Sequence, residues 1–454
     1  MSELATSRDG VSNLPGTMKA KSTAERSLFP KGNFVAFFLV TALFFLWAIP
    51  NNLNDVLIRQ FMKSFTLSRF QAGLIQSAFY MGYFLLAMPA GFLMRKYGYK
   101  AGFITGLMLY GAGALLFWPA ALIGRYWFFL VALFVIASGL SFLETASNPF
   151  IAQCGDSETS ERRLNFSQAF NPLGSITGVL IGTVFIFSGV ELNASQVDAL
   201  QAAHHYQAYL QQETLRVVQP YVVLGLVVIG WAVLIGFTRF PCVQGELETD
   251  QENHGHVRDL IHYPHFVLAV LAQFLYVGAQ VGTWSYFIQY VQEYTHRPEK
   301  AAGYYLTGTL VAFGVGRFAS AYLMKFISPG KLMGSYGVIN VVLLFIGVFL
   351  PGRVGLWAIL MTSFFMSLMF PTIFALGLKN LGSNTKIAGS LLVMSIVGGA
   401  VLTPIMGWLS EVFHSLAIAY LVPLICYAFV AHYGFSGYRM RLPVDTTSAL
   451  GISE

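Results

Sequence analysis

Twelve times along the chain an apolar run of more than about 18 residues recurs, and each run is long enough to cross the hydrocarbon core of a bilayer. Soluble globular chains interleave charge every few residues and carry about a quarter charged side chains. Here the charged share is 11% and the hydrophobic share 56%. Water is therefore not the main solvent of this chain, and the runs are expected to span a membrane. They lie near 34–58, 70–94, 101–122, 126–151, 166–189 and 218–238, then near 265–290, 302–324, 332–352, 355–378, 387–410 and 415–436. The expected fold class is an all-α integral membrane protein of 12 transmembrane helices.

Between the sixth and seventh runs lies a polar stretch, 239–264, with Glu246, Glu248, Asp250, Glu252, Arg258 and Asp259. It reads as a linker between two six-helix halves, 34–238 and 265–436, flanked by tails 1–33 and 437–454. A short echo supports two halves: Phe92-Leu93-Met94-Arg95 ends the second run and Tyr322-Leu323-Met324-Lys325 ends the eighth. Pseudo-symmetric halves around a central site are how secondary carriers alternate access. Two thirds of the 27 Lys and Arg residues lie in the tails and the even-numbered connections. Because basic residues are retained on the cytoplasmic side, both tails and the linker are expected there. The net charge of +6 is then a topology signal, and no nucleic-acid partner is expected. Cys154, Cys242 and Cys426 have no CxxC or metal-ligand spacing, so no disulfide framework is implied. The first 33 residues are polar, and the run after them is too long for a signal-peptide core, so no cleavage is expected.

All but two of the 21 acidic residues fall in tails or connections; Asp55 and Glu144 lie within spans. A carboxylate in hydrocarbon costs about 2.5 to 3.5 kcal/mol or more, so such residues face a wet cavity or a partner and mark an ion or substrate path. Desolvation favours the protonated form of a carboxyl group, which lets it change charge as a cavity alternates between wet and dry. Both residues are candidates for proton coupling. Each has a second reading: Asp55 sits one helical turn before Arg59 and could form an interfacial ion pair, and Glu144 could serve a structural hydrogen bond to a neighbouring helix. Arg317, after Gly314 and Gly316, reads as a snorkelling or helix-anchoring side chain. His265 and His432 lie near span ends, which argues against a histidine relay.

Polar residues repeating at helical spacing form stripes inside several spans. The first carries Trp47, Asn51 and Asp55; the second Gln76, Tyr80 and Tyr83; the fourth Glu144 and Asn148; the fifth Asn165, Gln168 and Asn171; the seventh Gln273, Tyr276, Gln280 and Trp284. Amides both donate to and accept from hydroxyls, and Trp and Tyr faces pack against the apolar face of a sugar ring. The stripes thus suit a neutral polyhydroxylated ligand, with Asn51, Gln76, Tyr80, Asn148, Gln168, Asn171, Gln280 and Trp284 as candidate binding residues. The competing reading makes them inter-helix glue, worth about 0.6 kcal/mol apiece. Gly174, Gly178 and Gly182 form a small-xxx-small packing face. The motifs GxSxG, HExxH and GxGD are absent, so neither a catalytic residue, a metal site nor a cofactor is expected, and an intramembrane enzyme using Asp55 and Glu144 as an acid pair is disfavoured.

Asn51-Asn52-Leu53-Asn54-Asp55, the run Gln71-Ala72-Gly73-Leu74-Ile75-Gln76-Ser77-Ala78-Phe79-Tyr80 and Leu143-Glu144-Thr145-Ala146 resemble the bacterial L-fucose:proton symporter family. Tyr276-Val277-Gly278-Ala279-Gln280, Tyr305-Leu306-Thr307-Gly308-Thr309 and Pro371-Thr372-Ile373-Phe374 extend the resemblance through the second half. It implies the major facilitator fold, proton-coupled sugar uptake in a bacterial inner membrane, functional carboxylates at Asp55 and Glu144, and binding amides at Gln168 and Asn171. Residues Gly91 to Lys100 resemble the superfamily's gating signature, with Arg95 where an acid is common. One departure bears on the substrate: Met369-Phe370 stand where that family has Gln-Tyr before Pro-Thr-Ile-Phe. Related sugar porters take glucose, galactose or N-acetylglucosamine. The expected function is symport of L-fucose or a related hexose with a proton by a monomer whose partners are sugar, proton and lipid. A proton-coupled exporter and a non-transporting sugar sensor are the alternatives.

Overall fold

The computed structural model describes residues 34–154, 166–240, 260–324, 326–379, 381 and 385–439. The N-terminal tail, most of the C-terminal tail, residues 241–259 of the linker, Asn165 and Cys242 lie outside the described residues. Those described form helices and connections, with no strand among them. Twelve helices are long and apolar enough to span: Phe34–Ser64, Arg69–Met94, Lys96–Ile123, Tyr126–Asn148, Phe166–Ile186, Tyr206–Phe237, Pro264–Ser285, Glu299–Leu323, Pro329–Phe349, Arg353–Gly377, Leu391–Val412 and Leu416–Gly437. They are called spans 1 to 12 below.

Local chemistry explains the boundaries. Span 2 opens on a capping box, in which Ser68 Oγ accepts from the Gln71 amide at 3.2 Å and Gln71 Oε1 accepts from the Ser68 amide at 3.1 Å. Gly98, at φ 78°, supplies the left-handed turn that swings the chain from span 2 to span 3. Pro50 and Pro404 sit inside spans, and each leaves the carbonyl four residues earlier without its helical donor. In span 1 Pro50 frees the Leu46 carbonyl, which accepts from the Tyr110 hydroxyl of span 3 at 3.1 Å. In span 11 Pro404 frees the Ala400 carbonyl, which accepts from Ser77 Oγ of span 2 at 2.6 Å. The second bond joins the two halves of the molecule.

Glycines set how closely the spans approach. Span 5 lies against span 1 with almost no space between backbones, since a Cβ at Gly174 or Gly178 would collide with the carbonyl oxygen of Phe45 or Ile49. The same closeness recurs across the halves, where Gly73 of span 2 meets Pro404 of span 11 and Gly303 of span 8 meets Thr183 of span 5.

Polar contacts between the halves gather toward the end of the bundle where span 1 hands over to span 2 and span 7 to span 8. Lys63 pairs with Glu299 at 3.2 Å, Arg69 pairs with Glu293, the Phe70 amide donates to Glu411 Oε1 at 2.6 Å, and the Tyr286 hydroxyl donates to the Arg69 carbonyl at 2.9 Å. This is the sealed end. Gly178→Ala should lower thermal stability in detergent by about 1–3 kcal/mol, because the added methyl meets backbone that cannot yield. Gly230→Ala, where nothing lies within 4 Å of the added carbon, should leave the melting temperature unchanged or slightly raised.

A cavity between the halves as the candidate functional site

A cavity of about 210 Å³ opens between the halves, walled by spans 1, 2, 4 and 5 on one side and by spans 7, 8 and 10 on the other. On span 1 it runs from Asp55, nearest the sealed end, back through Asn52, Asn51 and Trp47 to Phe44. Tyr80, Glu144, Asn148, Gln168, Asn171 and Ser175 complete the first wall. The second is built from Tyr276, Gln280, Val281, Trp284, Phe313, Arg317 and Phe370. Both in-span carboxyls therefore face one polar chamber.

Asp55 is 3% exposed and forms a polar joint between the halves. Its Oδ1 accepts from Gln76 Nε2 at 3.0 Å and from Ser285 Oγ at 3.0 Å, and Gln76 Nε2 also reaches Ser285 Oγ at 2.9 Å. Ser285 belongs to span 7, so the carboxyl is tied directly to the opposite half. Arg59 does not pair with Asp55; it turns to Glu191, 3.9 Å away. This removes the interfacial ion pair that the one-turn spacing allowed.

The amides form a preset lattice on the first wall. Asn51 donates to the Trp47 carbonyl at 3.0 Å and Asn52 to Ser175 Oγ at 2.8 Å. Asn148 donates to the Glu144 carbonyl at 3.2 Å, and Gln168 donates to Asn148 Oδ1 at 3.3 Å. The hydrogen-bonding groups that these contacts leave unused remain available to a ligand. The opposite wall is more aromatic. Trp284 is held by its Nε1 donating to Ser363 Oγ at 3.0 Å, and its ring meets Phe313 edge to face at 5.3 Å. The Arg317 guanidinium carbon lies 5.2 Å from the Phe313 ring centroid, a cation–π distance.

Of the residues singled out from the sequence, Asp55, Glu144, Asn51, Tyr80, Asn148, Gln168, Asn171, Gln280 and Trp284 meet at this cavity. Gln76 does not line it. It is 1% exposed and stands behind Asp55, orienting the carboxyl instead of facing the chamber. Gln273, on the same stripe as Gln280, is fully buried away from the cavity, while Asn165 lies outside the described residues. Arg317 corrects the sequence reading in the other direction: it forms part of the cavity wall. Asn52 and Ser175 also line the cavity, and Ser285 braces Asp55 from span 7. Asn52 carried a signal, an amide inside an apolar span, but small hydroxyl residues in helices carry none. The departure at 369–370 also divides, since Phe370 faces the cavity while Met369 is fully buried. Met369→Gln should therefore cost about 1–3 kcal/mol by burying an amide without partners. Phe370→Tyr should leave the melting temperature in detergent within about 1 °C of the parent, because its hydroxyl points to the chamber.

Residues 32–389 match the family described as Major Facilitator Superfamily. The L-fucose-proton symporter of Escherichia coli strain K12 is 45% identical over 402 residues, covering 87% of this chain and 91% of that protein. The glucose/galactose transporter of Brucella abortus (biovar 1, strain 9-941) is 35% identical over 403 residues, covering 88% and 93%. Among solved structures, the major facilitator transporter FucP in the outward conformation superposes with a TM-score of 0.67 at 44% identity, covering 88% of this chain and 98% of that one.

Proposed function

The chain belongs to the major facilitator superfamily, in the branch that holds the L-fucose-proton symporters, and on that premise we propose that it carries L-fucose or a related hexose into a bacterial cell together with a proton. The observation that supports this most is the cavity itself, in which two carboxyls and amides from both halves converge on one chamber. Asp55 and Glu144 take the proton. Asn51, Asn148, Gln168, Asn171 and Gln280 bind the sugar's hydroxyls, Tyr80 and Trp284 pack on its ring, and Gln76 acts through Asp55. Arg317 adds a donor on the second wall, where a fork of N–H groups meets hydroxyl oxygens.

In this reading the protein works as a monomer in the inner membrane, with tails and linker in the cytoplasm and the sealed end outside. The structure is then the inward-facing form. Protonation from outside favours sugar binding, the loaded halves rock about the site, and both ligands leave inward. A proton moving down about 100 mV supplies about 2.3 kcal/mol, enough for roughly 50-fold accumulation of a neutral sugar.

The test is to add fucose, galactose, glucose, mannose or N-acetylglucosamine to a weakly buffered, de-energised suspension of transport-deficient cells expressing the protein, and to record external pH. One sugar should produce an alkaline shift; no shift with any of them, with insertion confirmed, would sink the proposal. Asp55→Asn and Glu144→Gln should each abolish accumulation, and whichever retains sugar exchange has lost coupling alone. Phe370→Tyr should change the ratio of affinities between competing sugars by about tenfold, because a new hydroxyl discriminates among sugar hydroxyls. An unchanged ratio would remove this position from the binding surface.

A further inference from the structure

Just beyond the Asp55 joint, the sealed end holds a second set of buried charges that the cavity does not use. Lys63, near the end of span 1, places its Nζ 3.0 Å from Glu213 Oε2 and 3.2 Å from Glu299 Oε1. The same Nζ donates to Ser188 Oγ at 2.9 Å and to the Val190 carbonyl at 2.8 Å. Glu213 belongs to the same half as Lys63, whereas Glu299 opens span 8 in the other. Glu299 is fully buried and Glu213 is 4% exposed. Glu299 Oε1 also accepts from the Gly189 amide at 3.1 Å, and the Glu299 amide donates to Glu191 Oε1 at 2.8 Å. Gln292 donates to Glu191 as well, adding another bond across the seam.

We infer that Lys63 and Glu299 form the latch of the outer gate, positioning residues that set how readily the empty carrier opens to the outside. The inference rests on the reading of the chain as an alternating-access carrier. Three features separate a latch from an ordinary structural ion pair. First, Lys63 keeps Glu213 when the halves part, so opening costs it one of its two ionic contacts and strands no lysine. Second, Glu299 sits in the first turn of its helix, where the helix dipole favours a carboxylate. Opening hydrates it, which offsets the lost contact, as the balance between desolvation and attraction in buried ion pairs predicts. Third, the helix that Glu299 opens meets the other half through a small-residue contact, Gly303 against Thr183. A contact of that kind separates and re-docks without repacking large side chains.

The charge count yields a signed prediction. Two carboxylates share one lysine, so removing the lysine leaves two buried like charges facing each other across the seam, which disfavours closure. Glu299→Gln removes only the cross-half attraction and keeps the Lys63–Glu213 pair, which serves should Lys63→Met fail to fold.

The experiment uses the full chain in lipid nanodiscs without sugar, with Cys154, Cys242 and Cys426 replaced by Ala and spin labels at Gln201→Cys and Val354→Cys, two exposed positions on opposite halves near the sealed end. Double electron–electron resonance should show one short distance for the parent. Glu299→Gln and Lys63→Met should each raise a longer-distance population by about tenfold relative to the short one, while Lys63→Arg restores the parent distribution. Distance distributions unchanged in both Glu299→Gln and Lys63→Met would overturn the latch. Because no sugar is present, the latch is judged even if the protein proves to move none of the sugars tried.

Discussion

A carboxyl buried where two halves of a protein meet cannot be neutral toward how those halves sit. Asp55 takes hydrogen bonds from Gln76 in its own half and from Ser285 in the other. Hydrogen bonds to an ionised acceptor are roughly twice as strong as those to a neutral one. The contact between halves at this point therefore depends on whether the carboxyl holds a proton. Everything else in the molecule is arranged around that joint: the polar chamber lies on one side of it and the seal on the other.

The chamber and the seal are built by different means. In the chamber, amides are held by one or two hydrogen bonds and retain capacity for a ligand, while Trp284 is locked by Ser363 and braced by Phe313. Binding then costs little side-chain ordering, because the groups are already placed. At the seal, charges do the joining. Several basic residues at this end have specific partners: Lys63 with Glu213 and Glu299, Arg59 with Glu191, and Arg69 with Glu293.

Intrahelical prolines add contacts between spans. Pro50 and Pro404 each free a carbonyl, and each carbonyl is taken up by a side chain from another span. For Pro404 that side chain is Ser77 of the opposite half, so the defect in span 11 becomes a point of contact across the seam. Such satisfaction is obligatory in a membrane, where no water completes an orphaned carbonyl.

The amino-acid sequence alone determined the solvent of this protein, its twelve spans and the two carboxyls that face no lipid, because hydrocarbon imposes its penalties residue by residue and they can be read without knowing any neighbour. Stripes at helical spacing likewise brought nine of the ten chosen residues to one chamber. What the sequence could not supply was contact between distant segments. Gln76 and Tyr80 share a stripe, yet only the packing of span 7 against spans 1 and 2 decided that one would stand behind Asp55 and the other face the chamber. Arg317 looked like an anchor until span 8 packed against span 10 and turned it inward, with Gly316 pressed to the Phe364 carbonyl. Lys63 and Glu299 lie 236 positions apart, and no local pattern links them. Their meeting is a property of how two halves dock, which only the tertiary structure decides.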